Sequence, residues 1–148
     1  MLSRVFAGIL LATLLVACET PYKKSDAEAK KPLRDSPKDP SFLAFVGRLK
    51  IAVHKHDRVM MASMMAPDFG YRWDNPTTPE SPFEYWDAHK TWGALSDTLA
   101  AEFVPNGNFL VAPPEVMSDP NYAGYRAGMR LINGSWKFAY FVPTEGAQ

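Results

Sequence analysis

The sequence predicts an α+β domain, with two to four helices packed on a curved, mostly antiparallel sheet that ends in a β-hairpin. Three observations indicate this class. Apolar residues follow the helical period in the first half, extended runs dominate the second half, and Asn133-Gly134 joins the last two runs. Helices that precede a run of strands are typical of α+β proteins.

Helices are predicted in three places. Ser41 is expected to cap the first, whose apolar residues keep the 3.6-residue period as far as Val53. Asp57 is expected to cap a short second helix that Pro67 limits. The segment Ser81-Pro82-Phe83-Glu84 has the serine, proline and glutamate of a capping box and opens a third helix, which Gly93 is expected to break.

Strands are predicted where side chains alternate. Apolar and polar residues alternate over residues 69–74, and a second strand covers residues 109–112. A type I′ turn at Asn133-Gly134 determines which residues of the closing hairpin face each other. It predicts the pairs Leu131–Trp136, Met129–Phe138, Ala127–Tyr140 and Tyr125–Val142 and assigns all eight residues to the core.

The first 17 residues are predicted to be a signal peptide. Arg4 is the only charged residue before Glu19, and an apolar run extends from Val5 to Val16. As a helix this run would be roughly 18 Å long, which is shorter than the hydrocarbon core of about 30 Å. A positive start, a short apolar run and small residues at its end are typical of secretion signals.

The segment Leu15-Val16-Ala17-Cys18 resembles the lipobox of bacterial lipoproteins, in which an aliphatic, a permissive and a small residue precede cysteine. The resemblance implies that signal peptidase II recognises Leu15, Val16 and Ala17 and cleaves before Cys18. It also implies a diacylglyceryl group on the Cys18 thiol and an acyl chain such as palmitate on the new amino group. Several acyl chains make a durable anchor. The alternative is a free cysteine in a signal that is simply removed.

Residues 18–40 are predicted to form a lipid-anchored, disordered tether and residues 41–148 a single domain. Residues 19–40 contain 6 basic residues, 5 acidic residues and four prolines, and cannot bury enough apolar surface to offset chain entropy. In the sorting rule of two-membrane bacteria, Glu19 in place of aspartate favours the periplasmic face of the outer membrane over the inner membrane.

The ends of the domain resemble the NTF2-like (SnoaL-like) superfamily. The similarity lies in the helix pair from Phe42 to Phe69 and in the closing segment LINGSWKFAYFV. It implies a curved sheet that wraps a helix and encloses a cone-shaped pocket. NTF2-like enzymes use Asp, His and Tyr inside this cone for general acid–base chemistry, and the candidates here are Asp87, His89 and Tyr71.

Other candidate sites are few. Arg126, Arg130 and Lys137 form a basic stripe on the second face of the hairpin, which is predicted to bind an anionic ligand or partner. The alternative is pairing with the domain's own carboxylates, such as Asp97 or Glu102. His54 and His56 stand two residues apart on a helix and cannot share an ion, so no metal site is predicted. No cofactor is predicted besides the covalent lipid on Cys18.

Composition limits the class of protein. Sixteen basic residues balance 16 acidic ones, so no basic excess indicates a nucleic-acid partner, and one cysteine excludes a disulfide scaffold. The sequence therefore predicts a lipid-anchored envelope protein that binds the membrane through its anchor and a partner or small ligand through its domain. The alternatives are an NTF2-like pocket enzyme of isomerase or hydrolyase type, and a structural assembly factor of the envelope without a pocket.

Overall fold

The computed structural model describes residues 36–74 and 80–144, which form five helices and one five-stranded sheet. The helices are α1 (Pro40–His54), α2 (Arg58–Met64), α3 (Pro82–His89), α4 (Trp92–Ala100) and α5 (Glu115–Ser118). The strands are β1 (Met65–Gly70), β2 (Val104–Asn106), β3 (Phe109–Ala112), β4 (Tyr125–Ile132) and β5 (Ser135–Pro143). This content places the domain in the predicted α+β class.

The sheet is open and mostly antiparallel, with the strand order β1-β5-β4-β3-β2. Only β1 runs parallel to its neighbour, β5. The structure has one helix more than the predicted two to four, because the four-residue helix α5 has no apolar period to detect. The expected division of the third helix into two is confirmed, and its parts are α3 and α4. They separate at Lys90, whose left-handed φ of 55° ends α3, and not at Gly93, which lies inside α4.

Local side-chain bonds decide where the helices begin. The carboxylate of Asp39 accepts a hydrogen bond of 2.9 Å from the Ser41 backbone N–H, so Asp39 caps α1 and the prediction of Ser41 was wrong. The Asp57 carboxylate accepts from the Met60 N–H at 2.9 Å, which confirms the predicted cap of α2. The capping box at the start of α3, between Ser81 and Glu84, is also confirmed.

Strand β1 begins directly after α2 and ends at Gly70, so the strand predicted over residues 69–74 was displaced along the chain. Pro67 lies within this strand, where its missing N–H is tolerated because β1 is at the edge of the sheet. After Gly70 the chain no longer pairs with β5. Trp73 then lies at the end of β5, where its indole N–H donates to the Pro143 carbonyl.

Helices cover one face of the sheet, which we call the inner face. Helices α1, α2 and α4 contact β4 or β5, and the inward side chains of Met129, Phe138 and Phe141 are fully buried beneath them. The fully buried Trp86 of α3 packs edge-on against Phe141 at a ring distance of 5.9 Å. Apolar burial of this kind is the main favourable contribution to folding. The opposite face of the sheet is called the outer face below.

The hairpin register changes once along its length. Near the turn, the pairs Leu131–Trp136 and Met129–Phe138 are confirmed. Farther along, Gly128 lies opposite Tyr140, so Ala139 is an extra residue in β5 and forms a bulge. The bulge reverses the faces beyond it. Phe141 enters the core, Tyr140 lies on the outer face, and the predicted pairs Ala127–Tyr140 and Tyr125–Val142 were wrong.

Candidate functional site

The residues predicted for acid–base chemistry do not meet in one site. Tyr71 donates its hydroxyl proton to the Glu80 carbonyl at 2.6 Å. The His89 ring is exposed and stacks on Tyr85 at 4.0 Å, with its Nδ1 2.8 Å from the Tyr85 carbonyl oxygen. Asp87 forms an ion pair with Arg58 and accepts a hydrogen bond of 2.8 Å from the Trp92 indole N–H. Each polar group therefore has a local structural partner.

The residues predicted for lipidation lie outside the part of the chain that the structure describes. These are Cys18 and the preceding Leu15, Val16 and Ala17. Within residues 36–74 and 80–144, no helix has the length and apolar character needed to cross a membrane.

The basic stripe lies on the outer face as predicted, and its members have different partners. Arg130 is opposite Lys137 across the hairpin. The Arg130 guanidinium donates to Asp68 at 2.5 Å, and this bond holds the pKa of the Asp68 carboxyl below its usual range. Lys137 donates to the Ser63 carbonyl at 2.9 Å. Pairing with a carboxylate of the domain therefore occurs for Arg130, although the partner is neither Asp97 nor Glu102.

Neither Arg126 nor Lys137 forms an ion pair with a carboxylate in the described residues, and Arg126 is the one of the two that has a buried donor without a partner there. Its guanidinium carbon lies 4.8 Å from the centre of the Trp73 ring, which is a cation–π contact. Its Nε is buried and has no hydrogen-bond partner among the described residues. A buried donor without a partner carries a desolvation penalty, so an acceptor brought to this guanidinium would be stabilised.

A cleft of about 310 Å³ opens beside Arg126 at the start of β4. Its lining residues come from the segment after β1, from α5 and the loop that follows, and from the end of β5; they are Trp73, Val116, Asp119, Pro120, Tyr122, Arg126 and Thr144. We call this space the Arg126 cleft. It is an open depression in the surface, and Trp73 is 54% exposed at its edge.

The polar atoms around the Arg126 cleft hold its walls in place. The Trp73 indole N–H donates to the Pro143 carbonyl at 2.6 Å, which fixes the ring against the end of β5. The Thr144 hydroxyl lies 3.0 Å from the Tyr122 carbonyl oxygen, and the Tyr122 hydroxyl donates to the Tyr125 carbonyl at 2.9 Å. The carboxylate of Asp119 accepts from the Asn121 N–H at 2.9 Å. These bonds tie the walls to the backbone, and none of them involves the guanidinium of Arg126.

Tyr140 lies on the outer face of the sheet, near Arg126. Burial raises the pKa of the Tyr140 hydroxyl, and the positive charge of Arg126 opposes this shift. The tyrosine ring lies across Gly128, where an added Cβ would come within 2.1 Å of the ring. Phe109 packs against the other side of Tyr140 at a ring distance of 5.7 Å. Aromatic rings therefore lie beside both arginines of the stripe, with Tyr140 near Arg126 and Phe109 near Arg130.

Two further cavities lie elsewhere in the described structure. A shallow cavity of about 610 Å³ borders the tips of the β2–β3 and β4–β5 hairpins and includes Arg130 and Trp136. A groove of about 400 Å³ runs between α1 and the segment 101–103. The inward-facing Met129, Phe138 and Phe141 line none of these three cavities, and neither do the three predicted acid–base residues.

The two neighbouring histidines occupy different surroundings. His54 ends α1 and is exposed, whereas His56 adopts a φ of 52° and stacks on Trp92 at 4.2 Å. Among the residues that the structure describes, no group of three or more His, Cys, Asp or Glu is arranged to hold a metal ion.

The sequence did not indicate that Trp73 and Tyr122 would meet Arg126. Trp73 had been assigned to a strand, and no local pattern around Tyr122 pointed to a site. A scan against protein-family models finds no match for this chain, and searches of the curated proteins and of the solved structures also find none. The resemblance to the NTF2-like superfamily therefore stays a prediction.

Proposed function

We propose that this protein is a lipoprotein of the bacterial cell envelope whose α+β domain is a binding module for an anionic group. The anchor part of the proposal rests on Leu15-Val16-Ala17-Cys18 at the end of an apolar run. It assigns a thioether-linked diacylglyceryl group to Cys18 and cleavage after Ala17. The domain would then be held at the periplasmic face of a membrane, with the outer membrane favoured by Glu19.

The binding part of the proposal rests on one observation, the guanidinium of Arg126. It lies at the edge of an open cleft over an exposed tryptophan, without a carboxylate partner in the described residues. A guanidinium pairs with carboxylate or phosphate through two parallel hydrogen bonds, and the indole ring beside it offers a flat apolar surface. We therefore assign to the cleft a partner or small ligand that presents an anion next to an apolar group.

The anchor is tested by mass spectrometry of the mature protein. We expect a protein that begins at residue 18 and carries the mass of a diacylglyceryl group and an added acyl chain. Cys18→Ser should abolish labelling by palmitate and leave uncleaved precursor, because serine lacks the thiol that accepts the lipid. Normal processing and membrane attachment of Cys18→Ser would refute the lipoprotein proposal.

The cleft is tested by titrating the protein with benzoate and with inorganic phosphate. NMR follows the Nε–H signal of Arg126 in the wild type and the indole N–H signal of the adjacent Trp73 in every variant. Benzoate combines an anion with an apolar ring and should bind more tightly than phosphate. Arg126→Lys keeps the positive charge but removes the two parallel N–H donors of the guanidinium. Losing one charge-assisted hydrogen bond should weaken binding about tenfold.

Arg130→Lys is the matched control, since Arg130 is already paired with Asp68 and should leave benzoate binding unchanged. A titration in which neither anion shifts the Arg126 signal would refute anion recognition at this cleft without affecting the anchor. Asp87, His89 and Tyr71 line none of the three cavities described above, so these cavities do not support the enzyme alternative.

A further inference from the structure

The solvent-facing side of α1 exposes aliphatic side chains that a surface helix usually buries. Leu43 is 57% exposed and Ile51 is 52% exposed. They stand eight residues apart, with the exposed Gly47 midway between them, so all three lie on one side of the helix. No atom lies within 4 Å of the position where a Cβ on Gly47 would be, so the surface here is open.

Exposed cations occur along the chain between and after these aliphatic residues, and α1 carries no acidic residue. Arg48, Lys50 and Lys55 are all exposed, and no Asp or Glu occurs between residues 40 and 56. The domain over residues 41–148 has 9 basic and 11 acidic residues, a net charge of 9 − 11 = −2. This side of α1 is therefore positively charged, whereas the domain as a whole has a negative net charge. We call this surface the α1 face.

We propose that the α1 face docks on the anionic surface of the membrane that holds the lipid anchor. This inference rests on the proposed lipidation of Cys18. Exposed aliphatic side chains beside exposed Lys and Arg on one helix match a bilayer interface, where the aliphatic groups enter the headgroup boundary and the cations stay among anionic headgroups. The α1 face includes no Trp, Tyr or Phe, the anchors that protein interfaces favour.

The anchor and the α1 face are close in the chain. Residues 19–35 separate Cys18 from the first described residue, and a fully extended chain of that length spans about 60 Å at most. A tethered domain meets its own membrane at an effective concentration on the order of millimolar. Docking that is too weak to hold a free domain on the membrane therefore becomes populated once the lipid is attached. The α1 face then adds a second membrane contact to that of the acyl chains.

Three acidic residues of the described structure border α1. Asp39 caps its start, Asp57 follows its end, and Glu102 is the third. It lines the groove between α1 and the segment 101–103 together with Lys50 and Lys38. The Asp39 carboxylate caps α1 and the Asp57 carboxylate caps α2, and the exposed Arg48, Lys50 and Lys55 still make this side of α1 positive. Because α1 covers the inner face of the sheet, docking through it would leave the Arg126 cleft on the outer face, directed away from the bilayer.

The experiment places a fluorescent label on the α1 face of the mature lipidated protein. Gly47→Cys supplies the only free thiol, because the chain has one cysteine and its sulfur would be in a thioether. The labelled protein is reconstituted in vesicles of phosphatidylcholine, with or without phosphatidylglycerol, that carry a nitroxide on the lipid headgroup. We expect strong quenching in the anionic vesicles and weaker quenching in the neutral ones. A label at the exposed Ser118, introduced as Ser118→Cys in α5, is the control and should be quenched little in both.

Two sets of substitutions test the chemistry of docking. Each Lys or Arg near an anionic surface contributes roughly a fivefold factor, so changing Arg48, Lys50 and Lys55 to Gln should lower the ratio of docked to undocked protein on the order of a hundredfold. Leu43→Gln with Ile51→Gln should also lower quenching at position 47. Unchanged circular dichroism spectra would show that the variants fold.

The outcomes separate docking from anchoring. If the mass of Cys18 shows the lipid but labels at positions 47 and 118 are quenched equally in anionic vesicles, docking is refuted and the anchor stands. An unmodified Cys18 refutes both. Self-association in detergent that is lost on Leu43→Gln with Ile51→Gln would assign the α1 face to a second copy of the chain and would also refute docking.

Discussion

Replacing Gly128 by alanine should destabilise the domain because the Tyr140 ring occupies the space of the new methyl group. A Cβ at position 128 would lie 2.1 Å from Cε1, 2.3 Å from Cζ and 2.7 Å from the hydroxyl oxygen of Tyr140. Ordinary contacts between such atoms are about 3.5–4.0 Å, so the ring must move by more than 1 Å. It would then lose its packing against Phe109 and its place beside Arg126.

Two opposing effects determine the size of this change. Overpacking costs about 1–3 kcal/mol, whereas Gly→Ala at a position that alanine can adopt gains about 0.4–1 kcal/mol through the unfolded chain. The φ of Gly128 lies outside the left-handed region, so the backbone accepts alanine. The clash therefore dominates, and we expect a net loss of about 1 kcal/mol in the free energy of unfolding, measured by urea denaturation.

A double-mutant cycle isolates the contact. In a Tyr140→Ala background the obstacle is gone, so Gly128→Ala should become neutral or stabilising by up to about 1 kcal/mol. Gly47→Ala is the matched control, because nothing lies within 4 Å of its Cβ position and the exposed helix should gain about 1 kcal/mol. If Gly128→Ala destabilises both backgrounds equally, the assigned packing of Tyr140 on Gly128 is refuted.

Two further predictions concern local bonds. Ser81→Ala removes the oxygen that accepts from the Glu84 N–H, so unfolding should require about 1 kcal/mol less in a thermal or urea assay; an unchanged midpoint would contradict the capping box. Asp68→Asn removes the carboxylate that Arg130 stabilises. Because this bond lowers the folded-state pKa of Asp68, its contribution is present at neutral pH and is lost as the pH falls below about 4. The wild type should be the more stable protein at pH 7, and the difference should close in acid; a difference that is independent of pH would contradict the pairing.

The candidate site could be predicted only in part, because its contacts join distant segments. The alternation of residues in the hairpin placed Arg126, Arg130 and Lys137 on one face, and the register confirms this. Their carboxylate partners depend on long-range pairing. Strand β1 pairs with β5, the last strand along the chain, and this brings Asp68 to Arg130. The meeting of Trp73 with Arg126 depends on the chain leaving the sheet after Gly70, and no sequence period encodes that exit.

By itself, the sequence determined the features that neighbouring residues can set. Hydrogen bonds within four residues fix the capping box at Ser81 and the cap at Asp57, and the Asn133-Gly134 turn fixes the first pairs of the hairpin because its backbone admits few geometries. The tertiary structure decided the rest. Core packing brings Phe141 inward and Tyr140 outward through the bulge at Ala139, because buried apolar area outweighs strict alternation. The charge left unpaired at Arg126 follows from the same long-range packing, since a carboxylate reaches Arg130 and none reaches Arg126 in the described residues.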